Sequence, residues 1–158
     1  MLHRISLFLF IGISPNFSFA QISTDFTSTE LPLIDTPAFL KAATDSQRKE
    51  YIELEGNPNL TMELKNKALY NWAQRCGDPV NGMFTMFMAE KQTLQSQEDA
   101  RMSAIVAQLS EEAQEADKNV RKIVSNLNQT KKEMDSNVAK QLKKLPKKVY
   151  YELTFATQ

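Results

Sequence analysis

Cysteine and histidine are almost missing from this chain of 158 residues, which has one of each. Cys76 has no second thiol to join, so no disulfide forms within one chain. In an oxidising compartment such a residue is either buried or paired with another molecule, which makes a dimer through Cys76 a candidate assembly. His3 lies in a segment expected to be removed, leaving the mature protein without histidine. His-based triads, Cys–His nucleophile pairs and ordinary zinc sites are lost with it. The four glycines form neither a phosphate-cradling loop nor a nucleophile elbow. These absences argue against an enzyme and imply no cofactor beyond a weakly bound Mg²⁺ or Ca²⁺.

Long apolar runs are also missing, except at the start. "MLHR" is a short basic opening, "ISLFLFIGIS" an apolar run, and "SFA" places small residues at Ser18 and Ala20. That is the pattern of a secretory signal peptide over 1–20, too short for a spanning helix. No later window approaches ~18 consecutive apolar residues, so a secreted, extracellular chain without a transmembrane segment is expected. The polar stretch "QISTDFTSTELPLID" over 21–35 has no period and reads as a flexible lead-in. The segment 36–155 has the length of one domain.

Net charge is zero, but its sign changes along the chain. From Asp78 to Asp117 there are two basic and eight acidic residues; from Lys118 to Gln158 there are ten basic and three acidic. The basic third is either the solvated face of amphipathic helices or a surface for phosphates, glycans or acidic lipid heads. A host-surface protein using these basic C-terminal helices is therefore one functional reading. Nothing in the pattern points to nucleic acid.

Helical signals fill the rest. Thr36–Pro37 reads as a cap followed by a first-turn proline, and Thr44 with Gln47 as a capping box for "DSQRKEYIELE", ended by a left-handed Gly56. Thr61 caps a helix with Leu64, Ala68, Leu69, Trp72, Ala73 and Cys76 on one stripe, stopped by Gly77. Asp78–Pro79 opens a long segment to Leu109 whose polar waist, "QSQEDAR", makes it either continuous or bent. Ser110 and Thr130 cap two more helices, and Pro146 starts a last short turn. No β-type alternation competes. The fold class is all-α, a multi-helix single domain. "EGNPNLTMEL" and "VSNLNQTKKEM" each join two helices through an Asn-rich loop ending in Thr, so two helix–loop–helix units joined by a long central helix are expected.

The first loop raises the question of a bound cation. An EF-hand takes oxygen donors at positions one, three, five and seven and a bidentate Glu at twelve, with Gly sixth. With Leu60 as the eighth position, Glu53, Glu55, Asn57, Asn59 and Thr61 fall at one, three, five, seven and nine. Pro58 is then sixth and Leu64 twelfth, with Glu63 one place early. In the second loop Glu133 reaches twelve, but Lys122 and Val124 occupy one and three. Neither is a proper calcium loop. The candidates for a weak, water-retaining cation are Glu53, Glu55, Asn57, Asn59, Thr61 and Glu63. Asn59 and Asn128 also open glycosylation sequons. Met83, Phe84, Phe87 and Met88 crowd one helical stretch, either as core or as the wall of a carrier for small apolar ligands such as fatty acids.

"NPNLTMELKNKALYNWAQRCG", "LSEEAQEADKNVRKIV" and "LKKLPKKVYYEL" together resemble the nematode SXP/RAL family of secreted antigens, the Ani s five-like group, in order and spacing over roughly Pro37 to Leu153. The resemblance implies an all-helical, secreted, non-enzymatic nematode protein, often met as an antigen or allergen, with a proposed cation-binding domain and a host or parasite partner that it does not identify. Gln129 departs from the pattern, standing where the family usually has an apolar residue before Thr. The first loop is thus the better heir to the cation-binding label.

Overall fold

The computed structural model describes residues 36–156; the expected signal peptide and the lead-in lie outside the described residues. Seven α-helices follow one another among these residues: α1 Ala38–Ala42, α2 Asp45–Gly56, α3 Met62–Cys76, α4 Val80–Val106, α5 Glu111–Val124, α6 Lys131–Lys143 and α7 Lys147–Ala156. No strand forms among them, and the chain is all-α. No described helix is long and apolar enough to cross a membrane.

The helix starts are set by side chains that accept the otherwise unpaired first-turn amides. Thr44 and Gln47 close a capping box on α2, and Thr130 and Glu133 close another on α6. Thr61 Oγ1 accepts from Leu64 N at 3.2 Å, and Ser110 Oγ from Ala113 N at 3.3 Å. At φ 70° Gly77 takes the left-handed turn that ends α3, a conformation a side chain would strain. Two expected ends differ. Pro37, not Thr36, occupies the cap position of α1 and makes no side-chain cap. Gly56 is the last residue of α2, followed by Asn57 at φ −70°, so that helix ends without a left-handed glycine. The polar waist does not break α4, which is one helix of 27 residues. Its regular part stops at Val106, and Gln108 and Leu109 finish in tighter turns on Ile105 and Val106.

The described residues fall into two compact units, 36–57 with 65–92, and 58–64 with 93–156. The first has an aromatic core. Phe39 is fully buried, with ring centroids 5.3 Å from Tyr51, 6.0 Å from Trp72 and 5.3 Å from Phe84, all edge-on. Trp72 is also fully buried and its indole N–H donates to Gln47 O at 3.1 Å, so its polar atom is satisfied. Burial, and secondarily the Glu55 carboxylate, push the Tyr51 phenol up, leaving it a neutral core residue. Leu64, expected on a buried stripe, is 52 % exposed.

In the second unit α5 packs on both α6 and α7. Ala113, Ala116, Val149 and Leu153 form a buried cluster, and Val120, Met134 and Val138 are buried as well. Glu152 of α7 accepts from Ser110 N at 2.6 Å and from Ser110 Oγ at 2.8 Å, tying α7 to the cap of α5. These bonds hold the Glu152 carboxyl below its ordinary range.

Candidate functional site

The two Asn-rich loops meet. Thr61 and Thr130 form an isolated antiparallel bridge. Met62 N donates to Gln129 O at 2.9 Å, and Glu63 N to Leu127 O at 3.0 Å. The first three amides of α3 are therefore all occupied, two by carbonyls of the second loop and one by Thr61 Oγ1. Within the second loop, Asn126 Oδ1 accepts from Asn128 N at 3.1 Å, a local turn that sets its path.

Gln129 anchors this arrangement. It is 6 % exposed, and both ends of its amide are used: Nε2 donates to Ile123 O at 2.5 Å, and Oε1 accepts from Asn137 at 3.1 Å. The polar residue that interrupts the family pattern is thus buried with its hydrogen bonds made. It links the end of α5 to the middle of α6.

The candidate cation donors occupy several elements. Glu53 and Glu55 lie on α2, two residues apart and so on different faces of it. The Glu55 backbone carbonyl accepts from Lys65 Nζ. Asn57 is the C-cap of α2, and Asn59 is exposed in the turn that follows. Thr61 Oγ1 is engaged as a cap but keeps a second lone pair. Glu63 is exposed in the first turn of α3. All of these are oxygen donors, the chemistry of a hard cation such as Mg²⁺ or Ca²⁺. Among the described residues no three His, Cys, Asp or Glu side chains come together as a metal-holding group. The set therefore forms no closed protein cage among the described residues. In the second loop Glu133 is committed to the Thr130 amide and hydroxyl, which lower its carboxyl from the ordinary range.

Asn128, like Asn59, is exposed. Of the four apolar-ligand candidates, Phe84 is fully buried in the aromatic core, Phe87 and Met88 pack against that core, and Met83 is 39 % exposed. Cys76 is half-buried beside the same core. Burial and then the Glu50 carboxylate push its thiol up, Arg75 opposing them, so little reactive thiolate is present at neutral pH.

One feature of the second unit was only faintly marked in the sequence. Asp117 is 5 % exposed, and its Oδ2 accepts from Arg121 Nε at 2.5 Å, while Oδ1 has no hydrogen-bond partner among the described residues. The i, i+4 spacing of Asp117 and Arg121 was the one available signal.

The sequence model of the family described as "SXP/RAL-2 family protein Ani s 5-like, metal-binding domain" matches residues 4–158. No curated protein and no solved structure matches the chain.

Proposed function

Because the chain belongs to the SXP/RAL-2 family, Ani s 5-like, we propose that it is a secreted, non-enzymatic binding protein whose first loop holds a hydrated divalent cation weakly. The observation that carries this reading is the bridge between the loops, which fixes a segment whose donors are all oxygens. Glu63 supplies the charge nearest the bridge, and Asn59 and Thr61, in the same compact unit, supply neutral oxygens. The family's description as a metal-binding domain supports the assignment. With so few carboxylates at the loop, Mg²⁺ or Ca²⁺ retains several waters and affinity is low. The apolar N-terminal segment and the absence of histidine after His3 favour a secreted binding role over catalysis.

Isothermal titration of the chain from Gln21 onward with Mg²⁺ and with Ca²⁺ tests this. We expect a weak binding heat that Glu63→Gln abolishes and Asn59→Ala reduces. No heat above dilution for either ion would remove cation binding from the account.

A further inference from the structure

The second unit carries a different candidate, whose lysines are not among the cation donors. Between the end of α5 and α6 lies an open cleft of about 390 Å³, within the span of small-molecule sites. Lys122, Lys140 and Lys144 all line it, together with Ile123, Gln129 and Asn137, and no acidic residue does. None of the three lysines makes an ion pair among the described residues, whereas Lys118 and Lys131, on the same two helices, are paired with Glu115 and Asp135. Three positive groups therefore share one concave surface without a carboxylate to neutralise them.

Helix ends account for part of this. Lys122 lies in the last turn of α5, and Lys140 and Lys144 lie at the end of α6, where cations complement the helix dipole. Lys143 is in the same turn of α6 and does not line the cleft. The dipole explains lysines on those turns; it does not explain three facing one cavity. The floor is also built. Gln129 is buried, bonded to Ile123 O and to the Asn137 side chain, so the wall from α5 and the wall from α6 are tied at a fixed distance. Ile123 and the lysine stems give the cleft an apolar side.

We infer that this cleft binds a multiply charged organic phosphate, its phosphates on the ammonium groups of Lys122, Lys140 and Lys144 and its carbon frame against Ile123. Ammonium groups are effective point-charge partners for phosphate, and side-chain amides add neutral donors beside them. The volume exceeds that of one water, ~30 Å³, by enough to take an organic group and not only a bare ion. The same chemistry is presented by a free phosphorylated molecule and by a phosphorylated lipid headgroup.

The test uses inositol trisphosphate in solution, and phosphatidylcholine vesicles with and without phosphatidylinositol bisphosphate. Wild type is compared with K122Q/K140Q/K144Q and with K132Q/K143Q/K147Q, which removes equal charge from exposed positions outside the cleft. Wild type is expected to bind inositol trisphosphate, with amide shifts in the NMR spectrum at Ile123 and Asn137. The cleft variant loses about tenfold or more in affinity, and the control less than about threefold, because binding rests on local charge-assisted contacts. Tighter binding to the phosphorylated vesicles than to inositol trisphosphate identifies a lipid source; vesicle binding no tighter identifies a free one; either supports the cleft. Failure of wild type to bind both probes overturns the inference. So do equal losses in the two triple variants, or NMR shifts that avoid α5 and α6.

Discussion

Burying a glutamine is costly unless both ends of its amide find partners, and at Gln129 both do, on Ile123 and Asn137. In the sequence this residue was visible only as a departure from the family pattern; its partners lie six and eight positions away, on either side of a turn that no local rule specifies. Trp72 was easier, because a large apolar residue on a stripe at helical spacing has few places to go. Glu152 was not legible either, since its contact with Ser110 spans forty-two residues. That contact has a pH signature. Glu152 is lowered from its ordinary value of 4.5, first by the Ser110 amide and then by the Ser110 hydroxyl. A carboxyl lowered on folding adds stability that is fully present above its unfolded value and is lost as pH falls through the folded one. Glu152→Gln should therefore lower Tm at neutral pH and flatten the decline below about pH 4.5. Thermal melts across that range check it, and parallel Tm–pH curves for the two proteins would contradict it.

At the scale of elements, capping was the most legible feature. Thr44, Thr61, Ser110 and Thr130 all cap as their sequence context indicates, because capping needs only residues three positions away. The misread ends also have local reasons. Gly56 can adopt a left-handed turn but is not required to, and Pro37 takes the cap position that Thr36 would need. The bridge between the loops is non-local, and its one trace in the sequence was the repeated Asn-rich pattern ending in Thr. Met62→Pro isolates its contribution. Proline is ordinarily welcome at the first helical position, so any loss beyond that of Met62→Ala, which removes the same half-buried side chain, reports the missing bond to Gln129 O. We expect a further destabilisation of about 1 kcal/mol by urea unfolding, the usual net value of one hydrogen bond. A proline variant as stable as Met62→Ala would mean that the bridge adds nothing.

For the whole molecule, the all-helical class followed from periodicity, and the acidic-to-basic change of sign was plain from the order of charged residues alone. What the charge run could not reveal was which of its ten basic residues act together. Three share the cleft, while Arg121, Lys118 and Lys131 are consumed by carboxylates. The candidate cation donors were likewise legible as an alternation of oxygens, but alternation on a helix end spreads side chains over several faces. That is why Glu53 and Glu55, placed on α2, contribute less to the proposal than Glu63 beside the bridge.

The central claim is that the bridged first loop is where a cation binds. Amide chemical shifts of the isotopically labelled protein, followed through a Mg²⁺ titration, test it most directly. The account predicts saturable shifts confined to residues 59–63 and to their bridge partners Leu127, Gln129 and Thr130. Shifts that never saturate, or that cluster away from both loops, would contradict it.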